Sequence, residues 1–337
     1  MEEMNAKNNY LKYVAIALGI VFLMAAAFLV LKLWENKRGR YPASGTENGV
    51  VTYNGKEYVR KDNIETFLVL GLDKKEGEEI AESHESGVQA DFLMLFVFDN
   101  ETKKSTAIQI SRDTMTRVNK LSVGGTTVVD TFTKQIALAY NYVNDDNDKI
   151  RCRNTKDSVE YLLKGIRIDH YLSLTMDAVP AGCDLVGGVE VTVLDDFSGI
   201  DDTLVKGEKV TLHGDQALRY VRSRYGLEDS TNSARMARQK QFLDALFAKT
   251  NSLIESDAEF LVKLVDTMDE YVVYDSSDQR LMKYAEKFDE YEFLGIREIE
   301  GDSRVGDEFM EFYPNEDSVW EIVIDLFYTP ETKNGKK

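Results

Sequence analysis

Three stretches decide the fold: Thr66-Phe67-Leu68-Val69-Leu70-Gly71-Leu72-Asp73, Asp91-Phe92-Leu93-Met94-Leu95-Phe96-Val97-Phe98, and Thr106-Ala107-Ile108-Gln109-Ile110-Ser111-Arg112-Asp113. The first two are nearly unbroken apolar runs of strand length, the pattern of strands covered on both faces. The turn over 99–104 is short, which predicts that the three strands run as an antiparallel meander. In that arrangement the first strand ends at Asp73 on the sheet edge where the second begins at Asp91. The third returns to the same edge at Arg112. Asp73, Asp91, Arg112 and Asp113 then converge. Strand ends also carry charge simply because they meet solvent, so a site and a solvated edge both remain open at this point. Two carboxylates at one edge suit Mg²⁺, which completes its shell with water and phosphate oxygens.

Outward from this sheet, strand-like and helix-like segments alternate. Helices are predicted over 133–143, 155–163, 176–185, 214–220, 232–250 and 257–268, with a further strand over 189–194. The segment 232–250 has the clearest helical spacing, with Met236, Phe242, Leu243, Leu246 and Phe247 on one side. The tail from Ser276 to Tyr328 alternates helix, strand and helix. Such alternation implies a layered α/β domain with helices on both faces of the sheet.

The chain starts differently. Tyr13 to Leu31 is 19 residues without a charge, about 28 Å as a helix and close to the thickness of a bilayer core. This predicts a transmembrane signal anchor over 13–31, after a cytoplasmic tail over 1–12. The apolar run is too long, and too plainly followed by Lys32-Leu33-Trp34-Glu35, for a cleaved signal peptide. Lys7 and Lys12 precede the span and Lys32, Lys37, Arg38 and Arg40 follow it, so a positive-inside count taken alone favours a cytoplasmic C-terminal side. Residues 32–63 read as a linker with a short hairpin, because Asn54-Gly55 lies between two β-prone runs. The remaining domain spans 64–330.

The whole chain of 337 residues carries 59 Asp and Glu against 41 Lys and Arg, a formal charge of -18. That balance excludes wrapping a nucleic-acid backbone, which needs a basic face. Two Cys and three His exclude a disulfide scaffold and a four-Cys zinc site. Against this acidic background Arg219, Arg222, Arg224, Arg235 and Arg238 crowd one short segment. Arg222 and Arg224 share a face if their segment is extended. Arg235 and Arg238 occupy neighbouring positions near the start of a long helix, whose N-cap is expected at Asn232 or Ser233. Guanidinium forks grip phosphate oxygens in pairs. A solvated helix face with salt bridges to the many carboxylates is the competing reading.

Taken in order, these motifs resemble the LytR-CpsA-Psr (LCP) family. The resemblance rests on Gly71-Leu72-Asp73, Asp91-Phe92-Leu93-Met94-Leu95, Ser111-Arg112-Asp113-Thr114, Leu138-Ala139-Tyr140 and Asp184-Leu185-Val186-Gly187-Gly188-Val189. It continues through Lys206-Gly207, Leu212-His213-Gly214-Asp215-Gln216-Ala217-Leu218, Tyr220-Val221-Arg222-Ser223-Arg224 and Arg235-Met236-Ala237-Arg238-Gln239.

The resemblance implies a mixed central β-sheet flanked by helices on both faces. It also implies a single-pass protein of the cell membrane whose catalytic domain is extracytoplasmic, against the bare charge count. The implied activity moves an anionic glycopolymer from a polyprenyl-pyrophosphate carrier onto peptidoglycan with Mg²⁺, so the partners are the lipid-linked polymer, peptidoglycan and the cytoplasmic membrane. Residue by residue, Asp73 and Asp91 would hold Mg²⁺. Arg112, Arg222, Arg224 and Arg235 would grip the pyrophosphate, with Arg238, Gln239 and Gln89 beside them. Arg112, Asp113, Arg222 and Arg224 would form the catalytic group, with Asp113 orienting arginines. Phe92, Met94 and Phe96 are candidate walls of a lipid groove.

Two positions depart from the family pattern. Gln89-Ala90-Asp91-Phe92 stands where the family has Arg-Ser-Asp-Thr, and Gln135, next to Lys134, stands where it has Lys. Two other readings stay open: a polyprenyl-pyrophosphate pyrophosphatase, and a non-catalytic, membrane-tethered regulator that binds lipid phosphate. Cys183 reads as a small core residue, and a Cys152–Cys183 disulfide is permitted outside the cell.

Overall fold

The computed structural model describes residues 49–74, 87–143, 145–224, 226–257, 259–275, 291–306 and 309–331. The apolar span 13–31 and most of the linker lie outside these residues. Among the described residues no helix is long and apolar enough to cross a membrane.

The strands in chain order are β1 (Val50–Tyr53), β2 (Lys56–Arg60), β3 (Ile64–Leu72), β4 (Ala90–Asp99), β5 (Lys104–Ile110), β6 (Met115–Leu121), β7 (Val128–Gln135) and β8 (His170–Leu174). They continue with β9 (Val189–Thr192), β10 (Lys209–Leu212), β11 (Val272–Tyr274), β12 (Glu292–Glu298), β13 (Gly301–Val305), β14 (Met310–Pro314) and β15 (Tyr328–Pro330). The helices are α1 (Asp148–Leu162), α2 (Ala178–Leu185), α3 (Gly214–Arg222), α4 (Asn232–Ser256), α5 (Phe260–Met268) and α6 (Glu316–Phe327).

The expected meander is present: β3 pairs antiparallel with β4, and β4 with β5. It forms the middle of a six-stranded sheet of order β11-β8-β3-β4-β5-β12. β8 joins parallel to β3 and β12 parallel to β5, so the sheet is mixed. The period-2 alternation of each strand builds two cores. Phe67, Val69, Met94, Phe96 and Phe98 face one side, where α2, α3, α4 and α5 pack. Leu68, Leu70, Leu93, Leu95 and Val97 face the other, where α1 and α6 pack. Apolar side chains are needed on both faces of the central strands because both faces are covered, which is why β3 and β4 read as continuous apolar runs.

The Asn54-Gly55 hairpin forms as its sequence requires, with φ of 48° and 73° at the two turn residues. It is stitched to the domain rather than lying free in a linker: β2 pairs with β15, and Val51 is buried in the core under α1 and α6.

The expected helix over 133–143 is instead the end of β7 followed by a 3-10 turn, Ile136–Tyr140. Two physical reasons account for this. Thr131 and Thr133 belong to a β-branched run that pairs with β6. Ile136-Ala137-Leu138-Ala139-Tyr140 is buried throughout, leaving no polar face for a surface helix. The N-cap of α4 is Thr231 rather than Asn232 or Ser233; its hydroxyl accepts a 3.2 Å hydrogen bond from the Ala234 amide.

Cys152 lies in the α1 core and Cys183 in the α2 core, on opposite faces of the sheet, and both thiols are free. Burial pushes each thiol up to about 12, so neither is a thiolate at neutral pH. The native protein should therefore leave a thiol-specific colour reagent unreacted at pH 8, while the denatured, unreduced chain should titrate two thiols. A denatured chain without free thiols would mean that they pair.

Candidate active site

The ends of β3 and β4 meet at one edge, where the Asp73 amide donates to the Gln89 carbonyl at 2.9 Å. Asp91 follows at the start of β4 and engages two arginines from different elements. One carboxylate oxygen accepts from Arg112, just beyond β5, and the other pairs with Arg235 of α4 at 3.1 Å. Arg112 also donates to the Gln89 side-chain carbonyl. At this position the chain thus supplies an acceptor that orients Arg112 where a family arginine would add a charge.

Asp113 sits beneath this pair at only 4% exposure. Its carboxylate lies 3.6 Å from Arg112 Nε and 3.8 Å from an Arg224 nitrogen, and it accepts from Gln135 Nε2 at 3.0 Å. Burial raises its pKa, while Arg112, Arg224 and Arg235 oppose that shift. Gln135 donates to the Met310 carbonyl as well, at 2.6 Å. The remaining carboxylate, Asp73, accepts a 2.5 Å hydrogen bond from Arg222.

The arginine-rich segment divides by role. Arg222 is the last residue of α3, and Ser223 (φ −56°, ψ 135°) turns the chain so that Arg224 also reaches the cleft. Arg235, in the first turn of α4, is held by Asn232 at 2.5 Å and Asp91 at 3.1 Å. Burial lowers its pKa, with Asp91 acting in the opposite direction.

Arg238 does not join them. It is 0% exposed and donates to the carbonyls of Tyr220 (2.6 Å) and Ser223 (2.5 Å). It also pairs with Asp195 at 2.9 Å. Its charge is spent capping the C-terminus of α3, a favourable place for a cation. Arg238 therefore fixes the segment that presents Arg222 and Arg224; expected beside the pyrophosphate-gripping arginines, it instead lies buried and does not line the cleft. Arg219, the first member of the cluster, pairs with Asp201 at 3.0 Å.

Two cavities meet at these groups. A polar cleft of about 680 Å³ is lined by Asp73, Gln89, Asp91, Arg112, Asp113, Gln135, Arg222, Arg224 and Arg235. Counting Arg219 and Asp215 on its rim, five arginines face four aspartates, a local positive excess in a chain of net charge -18. A narrow apolar slot of about 100 Å³ adjoins it, between the sheet and α2, α3 and α4. Phe92, Leu174, Val179, Phe242, Leu243 and Leu246 line the slot, and Asp91, Arg222 and Arg235 line both spaces. Gln239 lines the slot rather than the polar cleft. Of the three expected lipid walls only Phe92 does so; Met94 and Phe96 are fully buried in the core. Gly71 lines the slot too, and a Cβ there would stand 2.9 Å from Phe92 Cβ, so the slot requires glycine at this point.

Asp73 and Asp91, the carboxylates expected to hold Mg²⁺, both line the cleft, and each is engaged by arginine there. Carboxylate oxygens are the donor type a hard divalent cation takes, with phosphate and water completing its shell. Among the described residues no group of three acidic, His or Cys side chains gathers.

Sequence reasoning missed Phe309 and Met310, which line the cleft from the β13–β14 hairpin. Their segment carries no charge pattern that marks a site. The division between Arg238, which braces α3, and Arg222, which lines the cleft, is testable by stability. Arg238→Met strands the buried Asp195 carboxylate and should cost about 3–5 kcal/mol in urea unfolding. Arg222→Ala, at a half-exposed pair, should cost no more than about 1 kcal/mol. Equal costs would contradict the assignment.

The fold is shared with known proteins. A polyisoprenyl-teichoic acid–peptidoglycan teichoic acid transferase, TagU, of Enterococcus faecalis is 26% identical over 287 residues, covering 82% of this chain and 84% of the relative. The structure of protein gbs0355 from Streptococcus agalactiae superposes with a TM-score of 0.61 at 20% identity, covering 78% of this chain and 86% of that one. TagT bound to LI-WTA superposes with a TM-score of 0.56 at 19% identity, covering 79% and 90%. Both show the same fold. The LytR_cpsA_psr family model matches residues 34–323, and this chain belongs to that family.

Proposed function

We propose that this protein transfers an anionic glycopolymer from a polyprenyl-pyrophosphate carrier onto peptidoglycan. The observation that carries this reading is the junction of the apolar slot with the arginine-lined cleft at Asp91, Arg222 and Arg235. A substrate with a hydrocarbon chain on one side of a pyrophosphate matches that junction in polarity and order. The name of the E. faecalis relative, a teichoic acid transferase, supports the same substrate class.

Phosphoryl transfer requires mainly positioning and charge stabilisation. Arg112, Arg222, Arg224 and Arg235 supply guanidinium groups aimed at the cleft. Asp113, buried beneath them, holds Arg112 and Arg224 in place. The acceptor hydroxyl oxygen forms a bond to the glycan-bearing phosphorus, the bond to the bridging oxygen breaks, and polyprenyl phosphate leaves with that electron pair and takes up the hydroxyl proton. The arginines stabilise the charge that builds on the phosphate oxygens. Asp73 and Asp91 are the residues that would hold Mg²⁺, which when bound neutralises pyrophosphate charge. With those carboxylates engaged by a cation, their arginine partners would turn to phosphate.

The N-terminal run 13–31 would anchor the chain in the cell membrane, with the domain outside. A protease added to intact protoplasts should then remove the domain; full protection would place it in the cytoplasm.

In a transfer assay, Arg222→Ala, Arg224→Ala and Asp91→Ala should each reduce polyprenyl phosphate release by about 100-fold or more. Turnover close to wild type in all three folded variants would overturn the reading. Running the assay with and without peptidoglycan separates transfer from hydrolysis. Label must appear on the glycan for transfer, whereas equal release without acceptor would indicate a pyrophosphatase. Binding of the lipid without turnover under either condition would indicate a regulator.

A further inference from the structure

The described contacts form one continuous line across the site. It starts at the apolar slot, whose mouth is Asp91, Arg222 and Arg235. Arg235 pairs with Asp91, and Asp91 accepts from Arg112. Arg112 lies against Asp113, which accepts from Gln135. Gln135 donates to the Met310 carbonyl, and Phe309 precedes Met310 on the cleft rim. Asp113, Gln135, Met310 and Phe309 line the cleft but not the slot. The line therefore runs from apolar, through charged, to aromatic.

Phe309 is 51% exposed, the one aromatic ring among the described residues lining the cleft. A single exposed aromatic is ordinary on a protein surface. This one is distinguished by how it is held. The Phe309 carbonyl accepts from the Gly306 amide at 2.8 Å, and the Phe312 amide donates to the Asp113 carbonyl at 2.8 Å. The Phe312–Asp113 and Gln135–Met310 bonds tie the start of β14 to the residues that brace Arg112 and Arg224. The backbone next to Phe309 is thereby tied to the arginine-lined wall.

We propose that Phe309 is a carbohydrate-stacking subsite that receives the first pyranose ring of the lipid-linked donor, and that Gln135 is the positioning residue that sets its height over the cleft. The proposal rests on the transferase reading for the identity of the donor. The sugar is joined directly to the pyrophosphate, so once the phosphates lie among the arginines its ring must lie at the end of the cleft away from the lipid slot. Phe309 lines the cleft and not the slot. A pyranose presents an apolar C–H face that packs on an aromatic ring, and the neighbouring carboxamide and backbone groups suit its hydroxyls. Recognition by a ring face also tolerates variation in the polymer farther out.

The test uses the full-length chain in detergent and two short-chain polyprenyl pyrophosphates, one bearing a single N-acetylhexosamine and one bearing no sugar. Binding is measured by calorimetry, independently of turnover. In Phe309→Ala the preference for the sugar-bearing lipid over the sugar-free lipid should fall about fivefold to tenfold, the range of an aromatic stacking contact. Phe309→Trp should restore the preference and Phe309→Leu should not. Gln135→Leu should reduce it as well, with Gln135→Asn giving no rescue because its side chain is one carbon shorter. An unchanged preference in Phe309→Ala, or full rescue by leucine, would overturn the proposal. A rise confined to the KM for peptidoglycan would also overturn it, by assigning the ring to the acceptor. If the wild-type chain binds the sugar-bearing lipid with a Phe309-dependent preference yet transfers nothing, the subsite stands and the transferase reading fails.

Discussion

The site depends on how one carboxylate is shared. Asp91 stands at the first turn of β4 into the sheet, 10% exposed at its side chain, and holds Arg112 on one oxygen and Arg235 on the other. The first arginine follows β5 and the second belongs to α4, so this single group ties the sheet edge to the long helix. Burying an ionised carboxylate is costly unless it is paired and hydrogen-bonded. Two guanidinium partners meet that requirement and at the same time keep two cations beside each other. The arrangement is poised: each arginine is stabilised by aspartate, yet the cleft retains more arginine than aspartate.

A second tier of residues makes that poise possible. Asp113 braces Arg112 and Arg224 from below, and Arg238 spends its own charge on the last carbonyls of α3. Neither needs to touch substrate to matter. Removing such support moves the groups that do, and small misplacements of charge in a cleft of this kind are expensive. The acidic composition of the chain is compatible with an anionic ligand for the same reason. Net charge is an average, and the local field in the cleft is set by a few buried pairs.

Much of this was legible in the sequence. The strands β3 to β5 follow from apolar runs bounded by charge, and their meander alone brings Asp73, Asp91, Arg112 and Asp113 to one edge. The helical spacing of α4 placed Phe242, Leu243 and Leu246 inward, where they wall the slot. What could not be read was which way each side chain turns from its helix. Arg235 and Arg238 are three residues apart, about 60° around the helix from each other. That offset is enough to send one side chain to the cleft and the other under α3. Hydrophobic patterning also missed β6, where apolar Met115, Val118 and Leu121 fall every third residue and polar Thr116 and Asn119 are buried, so no period-2 alternation marks the strand. Phe309 was invisible for a different reason: Gln135 and Met310 meet across 175 residues, a contact that only the folded chain creates.

The account is tested most directly by a crystal structure of the protein soaked with a short-chain polyprenyl pyrophosphate and Mg²⁺. It predicts hydrocarbon between the sheet and α4 against Phe92 and Phe242, with the phosphates at Arg112, Arg222 and Arg235. A lipid bound elsewhere, or phosphates held away from those arginines, would contradict it.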